Sequence, residues 1–256
     1  MPARQLIDVA DGPIECEFEP GDASLPTLVF LHEGLGSIDL WRGVPIEVAH
    51  AIGGAPVLTY ARHGHGASGP ARMPRPVSYM HREADVVLPA VLDEFGVERP
   101  VLIGHSDGAS ISLLAAGGGI AVSALVCLAP HVFVEPESIA GIERARDTFE
   151  SGGMVDRMRR YHSDPSATFR GWNDVWLSDE FRSWNIEDRL AGITAPVLAI
   201  QGRDDQYGTL AQLDAIEAGV SGGFERLVLA GVGHSPHVEA RSDVMLAIAG
   251  FLLASR

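Results

Sequence analysis

Hydrophobic positions along this chain gather into short unbroken runs separated by amphipathic stretches. Gln5 to Val9 and Ile14 to Phe18 alternate weakly around Asp11-Gly12-Pro13, which predicts an opening antiparallel hairpin. Six further runs are apolar and rich in β-branched residues: Thr27 to Leu31, Pro56 to Tyr60, Pro100 to Ile103, Ser123 to Leu128, Pro196 to Gln201 and Arg226 to Leu229. Strands without a polar face belong to a parallel sheet covered on both sides. Helical periodicity predicts the covering helices at Arg42 to Ile52, Tyr79 to Phe95, Ser106 to Ala116, Leu210 to Ala218 and His237 to Leu253. The pattern therefore predicts an α/β fold, a mostly parallel eight-stranded sheet with helices on both faces. No internal repeat or low-complexity segment interrupts it.

One region breaks the alternation. More than sixty residues separate the run ending at Leu128 from the one beginning at Pro196, and their patterning is polar and helical. They carry Tyr161, Phe169, Trp172, Trp176, Phe181 and Trp184, including three of the chain's four tryptophans. The expected organisation is a core of residues 1–134 and 192–256 with a helical cap inserted at residues 135–191. Its aromatics suit either a packed mini-core or the wall of a substrate pocket.

Composition narrows the function classes. At 256 residues and 46% hydrophobic content the chain suits one domain with an insertion. Nineteen basic against 34 acidic residues give a net charge of −15, which argues against nucleic acid or an anionic membrane as partner. The chain has no lysine, so Schiff-base chemistry, a Walker phosphate loop and a serine–lysine dyad are excluded together. Cys16 and Cys127, its two cysteines, sit in strand-like runs and are expected free. Met1 to Gln5 leads into acidic residues without an apolar signal core, and no apolar stretch reaches membrane-spanning length. A soluble cytoplasmic protein, monomeric or homodimeric, is the expectation.

The sharpest chemical signal is Val101-Leu102-Ile103-Gly104-His105-Ser106-Asp107-Gly108-Ala109-Ser110. A buried strand breaks at Gly104 and passes directly into a small-residue helix, leaving Ser106 at the apex of a sharp turn and at a helix N-terminus, where developing negative charge is favoured. Gly-x-Ser-x-Gly in this strand–turn–helix setting resembles the nucleophile elbow of the α/β-hydrolase family. The resemblance implies an eight-stranded α/β-hydrolase sheet with Ser106 as nucleophile.

The remaining family elements follow in order. His32-Glu33-Gly34-Leu35-Gly36 stands after the first long strand, where the family carries its oxyanion loop. The resemblance assigns the oxyanion-hole amides to Asp107 and Gly34. Glu33 replaces the commoner second glycine, so Glu33 or Leu35 could supply the second amide instead. Arg62-His63-Gly64-His65-Gly66-Ala67-Ser68 resembles the family's Arg-Gly-His-Gly-x-Ser turn and is expected to shape the pocket wall without metal. A serine nucleophile needs a base, and the base needs a carboxylate to fix its tautomer. Gly202-Arg203-Asp204-Asp205 and Gly233-His234-Ser235 each follow a strand. Family spacing selects Asp205 over Asp204, and His234 over the fallback His237, while His105 should pack within the elbow. Glu33, Leu35, His131, Trp172, Trp176, Trp184 and Tyr207 are candidate residues of the substrate pocket. No cofactor and no metal are expected.

Serine rather than aspartate at position 106 disfavours the dehalogenase and epoxide-hydrolase branches, and Ser235 after the histidine demotes the C–C bond hydrolases. The expected reaction is cleavage of a carboxylic ester of a small or medium, partly apolar substrate through an acyl-enzyme. A thioester is the nearest alternative, since Arg144, Arg146, Arg157, Arg159 and Arg160 could meet coenzyme A phosphates or simply form a solvated helix face. A ligand receptor and a cofactor-free oxygenase or lyase on the same fold complete the alternatives.

Overall fold

The eight apolar runs become one sheet. In the computed structural model, which describes residues 4–9 and 11–255, the strands are β1 Arg4–Val9, β2 Gly12–Glu19, β3 Leu28–Leu31, β4 Val57–Ala61, β5 Val101–His105, β6 Ala124–Leu128, β7 Val197–Gly202 and β8 Phe224–Leu229. Their order across the sheet is β1-β2-β4-β3-β5-β6-β7-β8, with β2 antiparallel to both neighbours and every pair from β4 to β8 parallel. Met1 to Ala3, part of the leader reading, lie outside the described residues.

Side chains at successive strand positions point to opposite faces, so a continuous apolar strand feeds two cores at once. Leu28 and Phe30 of β3 join Trp41, from the 3₁₀ turn Asp39–Trp41, and Val44, Val48, Val244 and Ile248, from the helices Val44–Ala51 and Arg241–Ala254, on one face. Val29 and Leu31 join Met80, Leu88, Ile111 and Leu113 on the other. Both cysteines are free and buried. No helix among the described residues is long and apolar enough to cross a membrane.

Two predicted helices differ in detail. Residues 79–94 run on as one helix, but Glu83–Val87 widens into a π-helical turn before Leu88–Glu94. Pro89 has no N–H to donate to the carbonyl four residues back, so the ladder is re-registered there. The C-terminal helix splits at Ala240 (φ −128°, ψ 48°) into Pro236–Glu239 and Arg241–Ala254. The first piece is tied to the preceding loop, because Glu239 accepts the Gly233 and Ser235 amides at 2.8 and 3.0 Å.

Between β6 and β7 the chain folds into the helices Pro136–Glu150, Met154–Met158, Pro165–Trp176 and Glu187–Leu190, with a 3₁₀ turn at Glu180–Ser183. An isolated bridge between Phe133 and Asn185 closes the base of this insertion. Most of its aromatics stack on one another: Phe149 on Phe169 at 3.9 Å, and Phe181 on Trp184 at 5.3 Å.

Candidate active site

The site begins where β5 ends. Ser106 adopts φ 51°, ψ −117°, a conformation L-residues avoid, and it is held there by close packing on both sides. A Cβ on Gly104 would overlap the Gly108 carbonyl, and one on Gly108 would overlap the Leu31 carbonyl, so only glycine permits the turn and the approach of the following helix to β3. That helix, Asp107–Gly117, is buried from Asp107 to Ala116. Its burial fixes the elbow against the sheet, and Ser106 itself keeps only 7% exposure.

The loops after β7 and β8 bring two partners to the serine. His234 Nε2 lies 2.9 Å from Ser106 Oγ, and His234 Nδ1 lies 2.9 and 2.8 Å from the two Asp205 carboxylate oxygens. The Asp205 carboxylate is fully buried and accepts two further bonds, from the Tyr207 amide at 2.8 Å and the Gln201 side-chain amide at 2.7 Å. Burial acts to raise the Asp205 pKa, but the attraction and hydrogen bond of His234, with the Tyr207 amide, outweigh it and hold the carboxyl below its ordinary value. A permanently ionised carboxylate at Nδ1 favours the tautomer whose Nε2 can accept the serine proton.

Asp204 stays outside this cluster, exposed to solvent beyond β7, its amide bonded to the Val232 carbonyl. His237 packs on Trp41 and on His105 rather than on the serine, and burial pushes its pKa down to about 4. His105 holds the back of the site, its Nε2 donating to the His234 carbonyl at 2.7 Å.

Opposite the serine, residues 32–36 are fixed by their carbonyls. The Glu33 carbonyl accepts from His32 Nδ1, the Arg62 guanidinium and the Gly36 amide. The Gly34 carbonyl faces His65 Nε2 at 3.0 Å, and the Leu35 carbonyl faces His162 Nε2 at 2.9 Å. Three successive carbonyls are thus held away from the cleft. The amides of Gly34 and Asp107 have no acceptor among the described residues, whereas the Leu35 amide is taken by the Glu33 carboxylate. That removes Leu35 from the candidate donors.

The loop of His63 and His65 is therefore a staple. His63 Nε2 faces the Gly12 carbonyl and His65 Nδ1 the His63 carbonyl, and no group of three potential metal ligands occurs among the described residues. Behind the staple, Arg62, 1% exposed, donates to the His32 and Glu33 carbonyls and stands 3.7 Å from the fully buried Asp107 carboxylate. Asp107 Oδ2 also accepts from Tyr79 Oη at 2.7 Å, and Tyr79 Oη accepts from Trp176 Nε1 at 3.0 Å.

The cleft over Ser106 and His234 encloses about 410 Å³, part of it open to solvent, and is walled by Glu33, Gly34, Leu35, His131, Ser138, Ile142, Trp172, Trp176 and Tyr207. Trp184 does not reach it: its ring lies on Phe181, one layer behind Trp176, within the aromatic cluster of the insertion. His131 is neutral there, since burial lowers its pKa to about 3. Ser138 and Ile142, both on the helix Pro136–Glu150, were not singled out by the sequence; Ser138 sits at the third helical position, in a capping box with Glu135. The cap arginines stay off the cleft: Arg146 pairs with Asp147, Arg159 with Asp156, and Arg144 donates to the Gln206 carbonyl.

Comparisons agree with this architecture. The alpha/beta hydrolase family model matches residues 28–248. Over 209 residues, 79% of this chain and 71% of the other, the sequence is 28% identical to a 2-succinyl-6-hydroxy-2,4-cyclohexadiene-1-carboxylate synthase of Salmonella paratyphi C. The structure resembles a hydrolase from Pseudomonas aeruginosa (TM-score 0.76, 20% identity, 97% and 98% of the two chains) and an esterase from Exiguobacterium antarcticum (TM-score 0.77, 16% identity, 98% and 99%). The chain belongs to the alpha/beta hydrolase family.

Proposed function

We propose that this member of the alpha/beta hydrolase family is a serine hydrolase that cleaves carboxylic esters through an acyl-enzyme. The carrying observation is the chain of contacts from Ser106 Oγ through His234 to Asp205, 2.8 to 2.9 Å at each step, on a strained elbow facing two unbonded amides. In the reading, His234 Nε2 takes the serine proton while Oγ attacks the acyl carbonyl. The Asp107 and Gly34 amides receive the charge that develops on the carbonyl oxygen, and donors already held in place by the fold need no reorganisation to do so. His234 then protonates the departing alkoxide. A water molecule, deprotonated by the same imidazole, releases the acid and restores Ser106.

Residues 135–191 act as the cap in this scheme. Trp172, Trp176 and Ile142 receive the apolar part of the acyl group; the cavity proper between them is about 70 Å³, so a small acyl group fits best and a larger substrate extends into the open part of the cleft. The thioester alternative loses its main support, because none of the five cap arginines lines the cleft, and Arg144, Arg146 and Arg159 are engaged elsewhere. A synthase role like that named for the Salmonella relative has one observation against it. That relative's product carries carboxylate and succinyl groups, whereas the lining here contains no arginine and presents Glu33.

The test is burst-phase kinetics with p-nitrophenyl esters and matched thioesters of short and aromatic acids, on the native protein, Ser106→Ala and His234→Ala. Stoichiometric p-nitrophenol release that disappears in both variants supports the reading. Turnover indifferent to Ser106 overturns it.

A further inference from the structure

One charged side chain in the cleft has no part in the proposed hydrolysis. Glu33 lines the space shared by Ser106 and His234, and one of its oxygens accepts the Leu35 amide. The other makes no hydrogen bond among the described residues and keeps some exposure, the residue being half-buried. Burial raises its pKa, only partly offset by the Leu35 amide and the more distant charges of Arg62 and His234. A half-buried carboxylate in this position lacks a counter-charge.

The surroundings do not supply one. Arg62 is behind the loop, committed to two carbonyls and to Asp107. Arg144 is on the outer surface with the Gln206 carbonyl. His131 is held neutral by burial, and Asp205 balances any charge on His234. What the cleft does offer beside Glu33 is aromatic: Trp172 and Tyr207 meet edge to face at 6.4 Å, and Trp176 completes the wall. Ring systems and a carboxylate both favour positive charge, most strongly where water is scarce, and both disfavour an anion.

We propose that Glu33, with Trp172, Trp176 and Tyr207, forms a subsite for an organic ammonium group carried by the substrate. This rests on the ester-hydrolase reading and gives it a substrate class: cationic esters are selected, and esters bearing a second carboxylate are rejected. The Glu33 side chain has a double task in this arrangement, since the oxygen that holds Leu35 also fixes the orientation of the carboxylate. The departure from a second glycine in the oxyanion loop thereby becomes a specificity element.

Two measurements test it on the intact chain. Equilibrium binding of choline, its neutral carbon isostere dimethylbutanol, and butyrate is followed by tryptophan fluorescence in native protein and Glu33→Gln, whose amide oxygen can still accept the Leu35 N–H. Native protein should bind choline at least about tenfold more tightly than the isostere, with butyrate weakest, and the variant should lose that preference. In parallel, kcat/KM is compared for a trimethylammonio-acyl p-nitrophenyl ester and its tert-butyl isostere. The ratio is taken within each protein, so general damage to the loop cancels. Equal binding of cation and isostere, tighter binding of butyrate, or a preference that survives Glu33→Gln overturns the proposal; if the variant does not fold, the ranking in native protein decides. Cation preference without Ser106-dependent turnover would support the subsite and refute the ester reading alone.

Discussion

Removing Arg62 is the most informative single perturbation of this fold. Its guanidinium neutralises the Asp107 carboxylate at 3.7 Å and donates to the carbonyls of His32 and Glu33, all within a region where Asp107 is 0% and Arg62 1% exposed. Arg62→Met keeps much of the volume but leaves a buried carboxylate beside the N–H assigned to the oxyanion. Deleting one partner of a buried pair costs about 3–5 kcal/mol, because the survivor stays in low dielectric without compensation. Surface ion pairs, by contrast, contribute about 1 kcal/mol or less, so Arg159→Met at the exposed Asp156 pair is the internal control. For a chain of this length the larger loss corresponds to a melting shift of roughly 10 °C. The assay is a double-mutant cycle by urea denaturation over Arg62→Met, Asp107→Leu and both. The double variant should recover most of the loss, because the unpaired charge goes with its partner. If Arg62→Met costs no more than Arg159→Met, or if the double variant is the worst of the three, the carboxylate is not held as argued.

Asp205→Asn leaves a side chain able to hold His234 in the wrong tautomer, and kcat should fall on the order of a thousandfold or more in steady-state ester assays while KM changes little. Ser106→Gly should abolish turnover yet raise the urea midpoint, because glycine accepts φ 51°, ψ −117° without the strain of about 1–3 kcal/mol, whereas Ser106→Ala should leave the midpoint near native. Gly34→Ala places a Cβ into the Trp172 indole, so activity should drop at least about tenfold as the loop and the tryptophan separate, read as kcat/KM on one ester. His162 bridges the Gly66 amide, which its Nδ1 accepts at 3.1 Å, and the Leu35 carbonyl. Burial lowers its pKa, so the unfolded chain binds the extra proton first. The contribution is complete above the ordinary histidine value near 6.5 and declines as pH falls below it; the slope of stability with pH between about 5 and 6.5 should be smaller in His162→Gln, measured by urea titration at each pH.

The strand runs along the chain and the candidates Ser106, Asp205 and His234 were legible because each depends on local chemistry that leaves a local mark; the order of strands across the sheet was not. A strand buried on both faces must be apolar throughout, and a turn as tight as the elbow must have glycine at 104 and 108, where any Cβ overlaps backbone. The histidine-rich loop was legible only as a pocket wall. Its actual work is to hold the carbonyls of Glu33 and Gly34 through Arg62 and His65, while the Leu35 carbonyl is held by His162, 127 positions away in the insertion. No periodicity encodes such a contact. Trp172, Trp176 and Trp184 illustrate the same limit: all three are similarly buried, at 7%, 2% and 8%, and share one segment, yet only the first two border the serine. What separates them is the helix Pro165–Trp176, which carries 172 and 176 on one face one turn apart, while Trp184 follows a 3₁₀ turn that turns the chain back toward Phe133. The same comparison explains why Asp107 was read only for its amide. An aspartate after a nucleophile is, in sequence, a helix-capping residue at a dipole's positive end; its role as the hub between Arg62, Tyr79 and, through Tyr79, Trp176 exists only when helix, loop and insertion are assembled. The nucleophile turn, the carbonyl-stapled loop and the aromatic wall are therefore joined through one buried carboxylate, and a disturbance at any of them should be felt at the other two.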